Sequence, residues 1–279
     1  MKEIKTTLID NNLHPVKSLG QNFLFDQNII KKIANVVNIE NKNVLEIGTG
    51  LGHLTKNLVS KAKKVVTIEI DKKLIPYLNE EFKDTNNLKI INQDFLKIDL
   101  ANLITKEFAN DNQVIVIANL PYYLTSPIIL KLLENVKFFS AFVLMMQKEV
   151  SQRLNAKVNT KAYSNLSVMC QFYCQVKVVF DVKPQSFFPA PKVTSSVVLF
   201  QVKDDINLDD EKQFWIFVRS CFASKRKTLV NNLTKYLTKE AANELIKSLK
   251  WLPTIRAENL TFVMFQELFL ILKQEKKLK

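Results

Sequence analysis

The stretch NVLEIGTGLGHLT, residues 43–55, decides the fold class. A mostly apolar run, interrupted by Glu46, that ends in glycine and opens onto a periodic segment reads as a buried strand, a tight turn and a helix. Three of the four glycines in the 279-residue chain, Gly48, Gly50 and Gly52, fall within five positions of it. Glycine admits positive φ and lets the backbone approach a ligand closely. A loop that opens onto a helix N-terminus also presents free amides. A plain strand-to-helix turn needs one glycine, so a cluster of three points to a ligand-binding loop. The spacing is G-x-G-x-G, not the G-x-G-x-x-G of dinucleotide sites.

Outward from this loop, strand-like runs at 64–70, 88–93, 113–118, 141–146, 175–182 and 195–202 join the run at 43–48. Most are continuously apolar, as strands covered on both faces are. Periodic segments at 53–61, 72–82, 126–137 and 148–155 lie between them, which predicts βαβ units and a mainly parallel sheet. The last two runs are separated by a proline-rich loop without a helix and are expected to pair antiparallel. A polar, acidic hinge at 203–210 follows, and then helical segments near 210–222, 224–237, 239–249 and 258–274. The chain therefore reads as an α/β protein, a Rossmann-like seven-stranded sheet over residues 1–205 with a small all-helical domain over 206–279.

Acidic residues mark successive strand ends on the ligand-binding edge of such a sheet. Glu46 precedes the glycine loop, where a carboxylate is awkward beside a pyrophosphate but suits a cofactor with ammonium and sulfonium charge. Glu69, with Asp71 beyond it, is placed to accept hydrogen bonds from both hydroxyls of a ribose. Asp94, in NQDF, is placed to accept from an adenine amino group. Together they favour an adenosyl cofactor, S-adenosylmethionine ahead of a nicotinamide. A nicotinamide oxidoreductase is the alternative, and the chain lacks a hydride-transfer constellation for it.

The fourth strand runs into Asn119-Leu120-Pro121-Tyr122. An adenine exocyclic amine is a poor nucleophile because its lone pair is delocalised into the ring. Two acceptors that bind its two hydrogens favour the pyramidal form, and the Asn119 side chain and the Leu120 carbonyl supply such a pair. Pro121 fixes the turn, and Tyr122 offers a face on which an unpaired base stacks. No strong general base is needed, since the proton leaves readily from a quaternary nitrogen.

Hydrophobic residues make up 47% of the chain and charged residues 24%, a composition that supports a sizeable core. The net charge of +13 suggests a polyanionic partner, although lysine richness alone can produce it. Residues 1–205 carry 26 basic and 19 acidic side chains, and residues 206–279 carry 14 and 8, so the C-terminal quarter is the more basic per residue. There the run RSCFASKRK (219–227) holds Arg219, Lys225, Arg226 and Lys227. Val218, Phe222, Leu229 and Leu233 suggest an apolar stripe on the same helix. RNA-backbone contact is favoured over a solvated face.

Cys170, Cys174 and Cys221 argue against a disulfide framework in a chain this long. Cys170 and Cys174 sit in an apolar helical stretch and read as buried thiols. With only His14 and His53 as histidines, no metal site is expected. No run reaches the ~20 apolar residues of a membrane span, and the N-terminus has no signal-peptide pattern. A soluble, cytoplasmic monomer is expected.

With these residues in hand, the chain resembles the ribosomal RNA adenine dimethylases, most closely the bacterial small-subunit type. The resemblance runs through KSLGQNFL (17–24), LEIGTGLGHLT (45–55), IEID (68–71), NQDF (92–95), NLPYYLTSP (119–127) and MMQKEVSQRL (145–154). It continues through AYSNLSVMCQFY (162–173), FFPAPKVTSSVV (187–198), KRKTL (225–229) and RAENL (256–260). It implies a class I methyltransferase sheet and two adjacent dimethyladenosines near the end of small-subunit ribosomal RNA as product, made within a pre-ribosomal particle. It also implies that Asn22 and Leu24 fold over the cofactor, and that Gly48, Gly50, Glu69 and Asp94 contact it. Asn119 would meet both cofactor and target amine, Tyr122 would stack on the base, and Phe187 would close its other face. The helical C-terminal region is similar to the family's ribosome-docking element. Thr49 stands where proline is frequent, Tyr123 where Asn or Gln is common, and Lys225 at an arginine-type place. The competing readings are a resistance-type methylase of large-subunit ribosomal RNA, which shares the glycine loop, and a non-catalytic assembly factor.

Overall fold

The computed structural model describes residues 2–109, 111, 113–204, 206, 208–275 and 277–278, without the side chains of Lys2 and Glu3. Every residue of the strand at 43–47 is buried, with no polar alternation, because it has a parallel neighbour on each side and helices over its faces. In chain order the strands are β1 (Phe23–Leu24), β2 (Asn43–Ile47), β3 (Lys64–Glu69), β4 (Leu88–Asn92), β5 (Val114–Asn119), β6 (Phe139–Gln147), β7 (Cys174–Val182), β8 (Phe187–Phe188) and β9 (Ser195–Val202). Seven form one sheet in the order β4-β3-β2-β5-β6-β9-β7. The β4 to β6 part is parallel, and β9 runs antiparallel to both of its neighbours. This is the Rossmann-like sheet expected from the alternating pattern. The order reverses between β2 and β5, the switch point at which a doubly wound sheet opens a crevice for ligands.

The helices of this part are α1 (Lys2–Asp10), α2 (Gln27–Ala34), α3 (His53–Val59), α4 (Ile75–Glu81), α5 (Leu100–Phe108), α6 (Thr125–Leu133) and α7 (Lys148–Leu154). Asp26 caps α2 and Asp99 caps α5, each carboxylate accepting from amides of the first turn. Helix α1 is absent from the reading of the sequence. It is held by Ile4 and Leu8, which share a buried cluster with Leu74, Leu78 and Phe82.

The chain divides into two compact units, Met1–Ser151 with Cys174–Lys203, and Gln152–Tyr173 with Asp204–Lys279. The single cut expected at 205/206 is thus corrected, and Asp205 itself lies outside the described residues. Residues 152–173 carry α8 (Asn165–Tyr173), whose aromatic side chains find their partners in the C-terminal helices. Phe172 stacks on Phe262 with centroids 4.5 Å apart, and Trp215 Nε1 donates to the Tyr173 hydroxyl at 2.6 Å.

The remaining helices are α9 (Glu211–Cys221), α10 (Leu229–Leu233), α11 (Lys239–Ser248) and α12 (Phe262–Gln274). The basic run does not lie on one helix. Helix α9 ends at Cys221 and residues 222–227 are turn and bend, so the single helix expected to carry this run does not form. Cys174 also departs from expectation, since it opens β7 while Cys170 lies on α8. All three cysteines are buried.

Candidate active site

The C-terminal ends of β2, β3 and β5 and the segment 19–24 line an open cavity. Its wall carries Asn22, Leu24, Gly48, Gly50, Glu69, Asn119, Leu120 and Tyr122, eight of the residues singled out from sequence. Gly48 has φ +80°, a conformation that only glycine adopts at little cost. Gly52 has a different reason to be glycine. It is not on the wall, and a Cβ there would lie 2.6 Å from the Phe82 ring. Thr49 sets the loop against the sheet, its Oγ1 lying 2.6 Å from Thr67 Oγ1 on β3.

Glu69 is buried, and each of its carboxylate oxygens receives one amide, Gly50 N–H on Oε2 and Asp71 N–H on Oε1, both at 2.8 Å. Burial raises its pKa, opposed by those two hydrogen bonds. Glu46 belongs elsewhere. It is 1% exposed, off the cavity wall, and turned toward α3, where Thr55 Oγ1 donates to Oε2 at 2.7 Å. Burial pushes its pKa up to about 8, so it enters the neutral range as an acid and does not face a cationic ligand as a carboxylate. Alternation along β2 is the reason, as Glu46 and its two strand neighbours cannot all face the same layer.

At the end of β5, Asn119 Nδ2 donates to the Asn22 carbonyl at 3.2 Å. That fixes the carboxamide and leaves Oδ1 without a donor among the described residues. Leu120 N–H donates to Met145 O at 3.0 Å, and the Leu120 carbonyl accepts no hydrogen bond from described residues. Pro121, at φ −63° and ψ 128°, turns the chain out of β5. The half-buried Tyr122 reaches Ser195 Oγ with its hydroxyl at 2.6 Å, and burial raises its pKa against that hydrogen bond.

Asp94 and Phe187 are not on the wall either. Asp94 caps the turn after β4, its Oδ1 accepting from Leu96 N–H at 2.9 Å. Lys131 holds the same turn by donating to the Leu96 and Ile98 carbonyls at 2.7 and 2.5 Å. Phe187 is the clearer correction. It is 2% exposed and packs in the core with Leu24 and Val197, because β1 and β8 pair Leu24 with Phe187 and turn that ring inward. It offers no face to a base in this structure.

Sequence reasoning missed the contacts that hold the segment 19–24 in place. Gln21 Nε2 donates to Asp71 Oδ2 at 2.9 Å while its Oε1 accepts from Val16 N–H at 2.7 Å. His53 Nδ1 donates to the Leu24 carbonyl at 2.9 Å, which ties β1 to the first residue of α3. Gln21 lies inside the KSLGQNFL motif and His53 opens α3, and neither residue type at its place signals this role in the sequence.

Known proteins of one family match the chain that carries this site. The model of the family described as ribosomal RNA adenine dimethylase matches residues 12–274. This chain belongs to that family. A relative from Mycoplasma mobile named ribosomal RNA small subunit methyltransferase A is 42% identical over 91% of this chain and 96% of its own. One of the same name from Streptococcus gordonii is 43% identical over 93% and 92%. Among solved structures, a dimethyladenosine transferase from Plasmodium falciparum matches with a TM-score of 0.76 and 30% identity, covering 91% of this chain and 98% of that one. The dimethylase sheet with its reversed β9 is therefore a methyltransferase sheet, and the enzyme is an rRNA methyltransferase.

Proposed function

We propose that this dimethylase transfers methyl groups from S-adenosylmethionine to the exocyclic amines of two adjacent adenosines near the 3′ end of small-subunit ribosomal RNA. It acts as a cytoplasmic monomer on a pre-ribosomal particle, without a metal ion. The observation that carries the reading is the pair of unoccupied acceptors, Asn119 Oδ1 and the Leu120 carbonyl, on the wall of the glycine-loop cavity.

The residues present fit an adenosyl cofactor. Glu69 keeps lone pairs on both oxygens beyond the two amides it accepts, as a ribose diol requires. Asp94 uses only Oδ1 for its cap and keeps Oδ2 for an adenine amino group. Gly48, Gly50, Asn22 and Leu24 supply the close backbone of the loop and the segment folded over it. When bound, the cofactor supplies an electrophilic methyl group on sulfonium.

The chain supplies orientation. Asn119 Oδ1 and the Leu120 carbonyl take the two amine hydrogens, which turns the nitrogen lone pair out of conjugation and toward the methyl group. Tyr122 holds the ring plane by stacking. Glu69, Asp94 and the glycine loop would hold the cofactor so that its methyl group faced the amine nitrogen, which would release one proton to water on taking that group. Acceleration comes from holding reactants in line and from acceptors fixed before the reaction. The basic residues Arg219, Lys225, Arg226 and Lys227 of the second unit serve the RNA backbone. Arg219, Arg226 and Lys227 are exposed, while Lys225 Nζ is bound to the Lys161 carbonyl.

Methyl incorporation from labelled S-adenosylmethionine into undermethylated small subunits, and separately into large subunits, tests the reading. Dimethyladenosine in small-subunit RNA alone is expected. Incorporation into large-subunit RNA alone would move the enzyme to the resistance-type branch, and none in either would overturn the catalytic reading.

A further inference from the structure

Phe187 leads the FFPAPKVTSSVV segment but is buried in the core, and what that segment delivers to Tyr122 on the cavity wall is a hydroxyl group. Ser195 opens β9 and is fully buried, paired with Gln147 of β6 on one side and Val182 of β7 on the other. Its Oγ lies 2.6 Å from the Tyr122 hydroxyl. Ser196, one pleat on, points to the opposite face and donates to Asp181 Oδ1 at 2.7 Å, where Lys148 Nζ lies 2.5 Å from Oδ2. The two serines thus serve opposite faces of one rigid strand, and only Ser195 reaches the cavity wall's aromatic ring.

The backbone around Tyr122 is already fixed. Thr125 Oγ1 donates to the Tyr122 carbonyl at 3.1 Å, and Leu120 N–H is bound to Met145 O. The freedom that remains is rotation of the ring, and a hydrogen bond at its far end removes it. We propose that Ser195 is a positioning residue for the target adenine, holding the plane of the Tyr122 ring on which the base stacks. A ring set in advance needs no ordering when the base arrives, so the contact acts on turnover more than on cofactor affinity. The inference rests on the reading of Tyr122 as the stacking residue.

The test is a double-mutant cycle in the full chain on undermethylated small subunits. Ser195→Ala and Tyr122→Phe are each expected to lower kcat about tenfold, the loss of one hydrogen bond's worth of preorganisation. The dissociation constant for S-adenosylmethionine stays within about twofold. The double variant should be no slower than about tenfold, because both changes cut the same tether. Multiplying losses in the double variant, or a kcat unchanged by Ser195→Ala, would overturn the proposal. A second measurement does not depend on turnover. In tyrosine-labelled protein, Ser195→Ala should shift and broaden the Tyr122 ring resonances and leave those of the other tyrosines in place. Unchanged Tyr122 resonances would overturn it. A wild-type enzyme inactive on both ribosomal subunits, with Tyr122 still moved by Ser195→Ala, would instead fault the substrate reading.

Discussion

Glu46 accepts a hydrogen bond from Thr55 on Oε2, and its buried Oε1 has no hydrogen-bond partner among the described residues. Desolvation is the largest cause of its raised pKa of about 8, with the nearby Glu69 carboxylate adding in the same direction. Its folded pKa thus lies above the ordinary carboxylate value. Between about pH 4.5 and 8 the native state holds a proton that the unfolded chain has lost. The stability this gives is complete at the acid end and falls by about 1.4 kcal/mol per pH unit as pH rises toward 8. Glu46→Gln is neutral throughout. Urea melts from pH 5 to 8 should show the variant gaining on the wild type as pH rises, and a constant difference would place the Glu46 pKa near its ordinary value. Asn119 is the other decisive residue. Asn119→Ala removes one of the two amine acceptors, and kcat should fall at least about a hundredfold. RNA affinity should stay within about twofold, as checked by filter binding against labelled turnover. Equal losses in both would make Asn119 a binding residue.

Gly52 and the segment 16–24 carry the element-scale expectations. At Gly52 the backbone φ is +75° and a Cβ would meet Phe82 at 2.6 Å, so Gly52→Ala combines strain with a steric clash at the start of α3. A loss of about 1–3 kcal/mol is expected, visible as a lower melting temperature. Gln21 joins Val16 to Asp71 and so holds the N-terminal segment across the cavity. Gln21→Ala should weaken S-adenosylmethionine binding several-fold by calorimetry with little change in melting temperature. The same elements show how far sequence reasoning reaches. Strands β2, β3, β5 and β6 are continuous apolar runs and were legible. β1 and β8 pair over two residues each, too short for any period, and their pairing is what sends Phe187 into the core. The spacing of Val218, Phe222, Leu229 and Leu233 continues across the turn at 222–227, where no glycine or proline marks the break. The stripe alone therefore suggests one helix where the chain turns.

Over the whole chain, the net charge of +13 makes the enzyme's affinity for RNA depend on salt. Arg226 is exposed in the turn between α9 and α10. Arg226→Glu should weaken binding to small-subunit RNA and reduce the slope of log affinity against log salt by about one or more. An unchanged slope would return this run to an ordinary solvated surface.

By itself the sequence determined the sheet class, the glycine loop, the acidic strand ends and the Asn-Leu-Pro-Tyr segment. Each of these is local, because a strand, a tight turn and a capped helix are set by residues a few positions apart. The tertiary structure alone decided which of the marked residues meet. Asn119 is oriented by Asn22, 97 positions earlier, and Tyr122 by Ser195, 73 positions later. Glu46 was turned away from the cavity, and residues 152–173 joined the C-terminal unit. Such partnerships depend on which buried faces pack together, and no periodicity along the chain encodes a contact between segments that far apart.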